Sequence, residues 1–302
     1  MKLSTYQRAV TELMVAGAFW GLSFTCARWA LEDFSASSLI FWRFLFALII
    51  GGTSLVLFQK NKRYSLRNDL KLSFKFGCFL GLSIIFQTYG LKYTTAIKSS
   101  FITSLYVVLI PLIGGFIFRH QIKKQDIWLS LIAFAGMGLL LDIFKESSFQ
   151  FNQGDFLTLA CAVSSSFHII YVGIAARKVH SPFRLNILQT FWSLLLITPF
   201  LLYESITTHT PLWPETVHLK PLLSLLILSI FVSLLAFYLQ IRAQRILSAT
   251  TSSLLCLLEA PYALFFAITL LGESLNFIQG LGVFLILLSS VWSIYIDRPQ
   301  DG

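Results

Sequence analysis

Stretches of about twenty apolar residues, separated by short charged or prolyl segments, recur along the whole chain and constrain its fold more than any other feature. About twenty apolar residues is the length at which a helix crosses the hydrocarbon core of a bilayer. The composition leaves little alternative. Of 302 residues, 56% are apolar and only 12% are charged, against about 25% charge in a soluble domain. A water-soluble globule of this size could not hide that much apolar surface, and the same numbers exclude disorder, collagen, a coiled coil and a disulfide scaffold. The strands of a transmembrane β-barrel alternate in segments of roughly ten residues, whereas these longer runs, rich in Leu, Ile and Phe, read as helix. The expected fold is therefore an all-α integral membrane bundle, with the lipid bilayer as its surroundings and water-facing material confined to loops.

The net charge of +9 resides in loop Lys and Arg, as membrane orientation demands, and gives no reason to expect nucleic acid as a partner. The four cysteines, Cys26, Cys78, Cys161 and Cys256, lie far apart in apolar segments without C-x-x-C spacing. They read as small core residues rather than a disulfide or metal site. The N-terminal apolar run lacks a small-residue cleavage site and is too long for a signal-peptide core, so it is expected to be retained as the first span.

Reading apolar runs between charged punctuation gives ten spans, at 9–30, 36–58, 70–91, 97–118, 125–143, 155–176, 183–204, 220–241, 248–271 and 275–296. The longest connection falls at 205–219, and no loop is long enough for a soluble domain. Basic residues decide the orientation. With the N-terminus inside, the inner segments hold Lys2, Arg8, Lys60, Lys62, Arg63, Arg67, Lys71, Arg119, Lys123, Lys124, Arg177, Lys178, Arg184, Arg242, Arg245 and Arg298. The outer segments hold only Arg28, Lys92, Lys98, Lys145 and Lys220, while Arg43 and Lys75 fall within spans. That asymmetry places both termini in the cytoplasm and supports an even number of spans.

The stretch FQTYGLKYTTAIKSSFITSLYVV from Phe86 superposes on LQIRAQRILSATTSSLLCLLEAP from Leu239 at a constant offset. Gln87 pairs with Gln240, Ala96 with Ala249, Ser99 with Ser252, Ser100 with Ser253 and Leu105 with Leu258. In both, an amide in one span is followed by a short loop and a Ser-Ser pair opening the next. The offset lays spans 3 and 4 over spans 8 and 9, so the unit is five helices, at 1–143 and 154–298. An odd number inverts the second copy in the membrane, and inverted repeats around a midplane site are a transporter architecture.

The chain resembles the EamA-type permeases of the drug/metabolite transporter superfamily. The residues that carry the resemblance are AFWGLSF around Trp20, WRF at Arg43, YGLKYTTAIKSSFITSLYVVLIP ending at Pro111, Gly154–Asp155, and LLEAPYALFFAITLLGESL ending at Leu275. The resemblance covers nearly the whole chain. It implies two inverted five-helix halves, with spans 1–4 and 6–9 around a central cavity and spans 5 and 10 peripheral. It also implies transport of small metabolites, often export of amino acids, without ATP. Two departures stand out. The second half has Ser164-Ser165-Ser166 where Trp-Ala often follows Gly-Asp, and Arg119-His120 ends span 4 where span 9 ends in Gly272-Glu273.

Polar residues inside spans face a bundle interior or a water-filled cavity, because lipid cannot satisfy them. Ser229, Ser233 and Gln240 form a stripe on span 8, Ser83 and Gln87 on span 3, Ser99, Thr103 and Tyr106 on span 4, and Ser252, Cys256 and Glu259 on span 9. Lone Ser and Thr residues more often glue helices together, whereas Gln87 and Gln240 are poor interface fillers and lean towards a cavity. Glu259 is the most informative. Its desolvated carboxylate, two residues before Pro261, needs a partner or a proton, as a coupling or substrate-amine site or as a structural ion pair at a proline kink. Tyr106 is its repeat equivalent. Arg43 is expected to snorkel or pair with Glu32 or Asp33 rather than meet an anion. His168 is expected to hydrogen-bond a neighbour, with a proton relay as its functional alternative. Trp20 suits an aromatic cavity wall, Trp42, Trp128, Trp192, Trp213 and Trp292 suit interfacial belts or packing, and Glu273 suits a helix-end contact.

The candidate substrate-binding residues are thus Trp20, Gln87, Thr103, Tyr106, Gln240 and Glu259, with Glu259 and His168 as coupling candidates. No catalytic residue, metal site or cofactor is expected. There is no Walker A loop, so ATP-driven transport by this chain alone is excluded, and no H-E-x-x-H, nucleophile elbow or EF-hand is present. The expected function is secondary transport, in the export direction, of a small polar metabolite such as an amino acid, by alternating access in a bacterial inner membrane, as a monomer or homodimer. Uptake or exchange of a nucleotide-like metabolite such as S-adenosylmethionine is the alternative in the same class. An integral-membrane lipid-modifying enzyme would need clustered acids or histidines, and a channel would need a charge ring or filter loop; neither pattern is present.

Overall fold

The computed structural model describes residues 4–58, 66–90, 93–94, 96–119, 123–143, 151–209, 211–271 and 274–298. Among them every regular element is helical. Spans 1 to 3 are α1 (Thr5–Ala30), α2 (Ala36–Phe58) and α3 (Leu66–Gly90). Span 4 is α4 (Ala96–Ser104) followed by α5 (Tyr106–Phe116), and span 5 is α6 (Lys124–Leu140). Spans 6 and 7 are α7 (Gln153–Ala176) and α8 (Pro182–Thr208). Span 8 runs from α9 (Leu219–Ile227) through a π-helical segment (Leu228–Ala236) into α10 (Phe237–Ala243). Span 9 is α11 (Ala249–Cys256) and α12 (Glu259–Leu271), and span 10 is α13 (Phe277–Asp297).

Ten passes result. Eight are long and apolar enough to cross a membrane by those measures alone. The other two are α3, whose first turns carry Arg67, Asp69, Lys71 and Lys75, and α6, which is 17 residues long. The sequence placed several ends differently. α1 begins at Thr5 because Ser4 and Gln7 form a capping box, which satisfies two otherwise orphaned amide hydrogens. α8 runs four residues past the expected 204, so the long loop is shorter than its composition suggested. The expected positions of Lys2, Lys60, Lys62, Arg63, Lys92, His120, Lys145, Gly272 and Glu273 lie outside the described residues, as does the side chain of Lys98.

Two spans break where the repeat demands it. The second piece of span 4 opens at Tyr106 and that of span 9 at Glu259, the two positions paired by the repeat. Pro261 accounts for the break in span 9: it has no N–H to give the Leu257 carbonyl. That carbonyl instead accepts from Ala260 at 3.1 Å, a tighter turn.

Helices in lipid gain nothing from burying apolar side chains against one another, so close approach rests on small residues. Gly21 of span 1 lies against Tyr262, Ala263 and the Glu259 carbonyl of span 9. Gly136 of span 5 meets Gly282 of span 10, and Gly90 meets Gly154 at the start of span 6. Span 3 packs along spans 6 and 7, and span 10 along span 5. Val56, Phe116, Trp128, Tyr203, Phe277 and Tyr295 stand on the outer surface, where lipid would cover them.

Candidate functional site

A cavity of about 320 Å³ lies where spans 1, 2, 3, 4, 6, 8 and 9 converge. It brings together Trp20, Gln87, Thr103, Tyr106, His168, Gln240 and Glu259, all seven residues singled out from the sequence. The broken helices explain the convergence of two of them. Tyr106 and Glu259 each open the second piece of a discontinuous span, and such breaks put side chains and backbone at membrane depth without exposing them to lipid.

The wall is partly aromatic and partly polar. Trp20 meets Phe237 with ring centroids 5.5 Å apart. Thr103 and Ser165 flank Cys161, each 3.9 Å from its sulfur. Gln240 is 2% exposed, and its Oε1 accepts no hydrogen bond among the described residues. A buried amide oxygen without a donor costs about 1–3 kcal/mol, a cost that a donor on a bound molecule would remove. Glu259 makes no hydrogen bond or ion pair among the described residues, so the structural ion pair weighed from the sequence has no counterpart there. Cys161 and Cys256 line the same cavity as free thiols rather than serving only as core filler.

Arg43 corrects an expectation. It does not pair with Glu32 or Asp33, because each acid is engaged elsewhere. Asp33 holds the His218 backbone N–H at 2.6 Å, and Glu32 holds Lys220 at 2.6 Å. Two turns into α2, Arg43 instead lines the cavity and donates from Nε to Ser233 Oγ at 2.7 Å. The guanidinium has no carboxylate partner among the described residues. Its spacing within WRF carried no sign of this; only the engagement of the two nearby acids by the second half decides it.

Span 7 holds the residues that the sequence reading passed over. Asn186 and Gln189 are fully buried; two amides at i, i+3 in the otherwise apolar run LNILQT were the available signal. Other polar side chains close on their own helix. Ser229 bonds the Leu225 carbonyl and Ser83 the Leu80 carbonyl, the back-bonding that lone serines commonly adopt in spans. Trp42 and Trp213 belong to an aromatic cluster with Phe34 and Phe46 at the end of the bundle, and Trp128 and Trp292 are largely exposed.

A second cavity, about 390 Å³, adjoins the first and shares Phe24, Gln87, Thr103, Tyr106 and Glu259 with it. Its remaining wall is largely Leu, Ala and Met from spans 5 and 9, with Arg28 and Gln279 at the end where spans 9 and 10 join. Glu259 therefore faces both chambers. Among the described residues no group of three or more His, Cys, Asp or Glu could hold a metal ion.

Ten passes in two similar halves, with a polar cavity between them, define a multi-pass membrane transporter of small molecules. The chain belongs to the EamA-like transporter family, whose model matches residues 8–142 and again 152–295. It is 30% identical over 279 residues to an uncharacterized transporter of Archaeoglobus fulgidus, covering 92% of this chain and 83% of that protein. A crystal structure of another protein superposes with a TM-score of 0.77 over 95% of this chain and 98% of its own, at 16% identity, a likeness of fold. The family and the Archaeoglobus relative are both described as transporters, not as enzymes.

Proposed function

We propose that the protein is a secondary transporter that exports small zwitterionic metabolites such as amino acids across a bacterial inner membrane by alternating access, with both termini cytoplasmic. One observation carries the reading. A carboxylate from the second half, Glu259, and a guanidinium from the first, Arg43, line one cavity, and among the described residues neither has an opposite charge paired with it. A buried charge without a partner is expensive, and an ammonium and a carboxylate on one small molecule would relieve both. The volume is at the small end of the range of ligand sites, about 300–1,000 Å³. The orientation rests on the excess of basic residues in the inner segments.

Alternating access follows from inversion: each half offers the same broken helix to the cavity from opposite sides, so rocking one half against the other exposes the cavity first to one face and then to the other. Glu259, facing both chambers, is the residue best placed to couple ammonium or proton binding to that motion. A nucleotide-like metabolite such as S-adenosylmethionine is the second reading, favoured by the adjoining 390 Å³ chamber. Purified protein in liposomes preloaded with unlabelled amino acids tests the first reading. Counterflow of the labelled compounds supports it, and counterflow of S-adenosylmethionine alone turns it to the second.

A further inference from the structure

A buried chain of amides runs from the π-helical segment of span 8, through span 7, to the cavity wall. Asn186 donates from Nδ2 to the Leu234 carbonyl at 2.8 Å and, at 3.5 Å, approaches the Ser233 carbonyl. Backbone carbonyls only accept, so the amide nitrogen of Asn186 is the atom that faces them and Oδ1 is left for a donor. Gln189 supplies it, Nε2 to Oδ1 at 2.8 Å, and so turns its own Oε1 towards His168 Nε2, 3.2 Å away. An amide oxygen cannot donate, so the proton lies on Nε2. In a neutral imidazole the other nitrogen is then an acceptor.

That acceptor, Nδ1, has no hydrogen-bond partner among the described residues, and His168 is 4% exposed and lines the cavity. Phe76 and Phe237 flank the ring with centroids at 6.4 and 5.9 Å, which fixes its plane. The chain ends on backbone carbonyls, with no titratable group to pass a proton to, so it is no proton wire. The same π-helical segment also holds Arg43 through Ser233 Oγ. It thereby aims one fixed donor and one fixed acceptor at the cavity.

We propose that Asn186 and Gln189 are positioning residues that hold His168 as the Nε2–H tautomer, and that His168 Nδ1 selects substrates carrying an N–H or O–H donor on the side chain. The proposal rests on the amino-acid reading above. With the ammonium at Glu259 and the carboxylate at Arg43, only the side chain remains to meet Nδ1. Hydroxyl and amide side chains satisfy it, and isosteric apolar ones leave it orphaned. A site built to hydrogen-bond a substrate group rejects the analogue lacking it far more strongly than an apolar pocket rejects a misfit.

Two measurements on the full-length protein decide it. Nitrogen-15 NMR of histidine-labelled protein in detergent, with His168 assigned by its loss in His168→Asn, reads the tautomer directly. The expected spectrum at neutral pH is Nε2–H in wild type and a tautomer mixture in Gln189→Leu. A wild-type ring protonated on Nδ1, or on both nitrogens, overturns the proposal even where Gln189→Leu fails to fold. Counterflow of a labelled amino-acid mixture, competed with unlabelled L-threonine or its isostere L-valine, reads the selection. Threonine should compete about tenfold better in wild type, the worth of one hydrogen bond of about 1.4 kcal/mol, and lose that advantage in Gln189→Leu. Equal competition in wild type overturns the selective role. Absence of any amino-acid counterflow sinks the transport reading and the selective role with it, while the spectrum alone still decides the tautomer.

Discussion

Thr94, in the turn between spans 3 and 4, donates its hydroxyl hydrogen to Asp155 in the first turn of span 6, Oγ1 to Oδ1 at 2.6 Å, and so ties the two halves together. The other carboxylate oxygen accepts the Asn152 N–H at 3.0 Å, and Asn152 Oδ1 accepts the Asp155 N–H, a reciprocal cap. Gly154 beside it allows the approach: a Cβ there would come within 2.8 Å of the Thr94 nitrogen. One Gly-Asp pair thus begins a helix and joins it to the opposite half. Asp155→Ala should lower stability by about 2–4 kcal/mol, combining a charge-assisted bond with a helix cap. Asp155→Asn, which keeps one acceptor, should lose roughly half of that. Thermal unfolding in detergent measures both, and an unchanged midpoint for the alanine variant would remove the cross-half bond from the account.

Span 1 and span 9 make a second such approach. A Cβ on Gly21 would stand 2.5 Å from the Tyr262 Cβ and 2.8 Å from the Ala263 nitrogen, whereas Gly52 has nothing within 4 Å. Backbone cannot yield as a flexible side chain does. Gly21→Ala should therefore destabilise by about 1–3 kcal/mol, the usual cost of overpacking, and also displace the Glu259 carbonyl. Gly52→Ala should be neutral or slightly stabilising, since it only removes freedom from the unfolded chain. Parallel melting curves of the two variants check the contrast.

At the end of the bundle where spans 1 and 2 join, the segment before span 8 folds over that turn. Leu212 accepts from Ser38 and Trp42, each at 2.7 Å, and Ser37 donates to Glu204. The His218 backbone N–H and ring hold the Asp33 carboxyl below its usual range. A carboxylate whose pKa is lowered in the folded state contributes stability that is present above its unfolded pKa and lost as pH falls through the folded one. Acidification through that lowered range should loosen residues 211–218. Asp33→Asn should loosen them at every pH. Hydrogen exchange of this segment against pH measures the effect, and exchange that ignores pH in wild type would contradict it.

Periodicity alone carried much of the architecture. The ten passes, the repeat offset and the polar stripes that meet at the cavity are all spaced in the sequence, because a helix turns charge and amide spacing directly into a face. The break shared by Tyr106 and Glu259 was implicit in the same offset. What stayed hidden depended on contacts far apart in the chain. Arg43 looked like a partner for Glu32 or Asp33 until His218 and Lys220 were seen to occupy them. Asn186 carries its meaning only because a π-helical turn, which no local propensity marks, offers its carbonyls to it, and Gln189 only through Asn186.

The most direct test concerns Glu259. Glu259→Gln keeps the size of the side chain and one carbonyl acceptor while removing the charge that would hold a substrate ammonium. Counterflow of labelled amino acids into proteoliposomes should fall by about tenfold or more, as the loss of a charge-assisted bond of about 1.5–3 kcal/mol requires, while the variant inserts in normal amount and melts no lower than wild type. Wild-type counterflow by Glu259→Gln, with the same amino acids exchanged at the same rates, would show that the carboxylate takes no part in binding and would contradict the central claim.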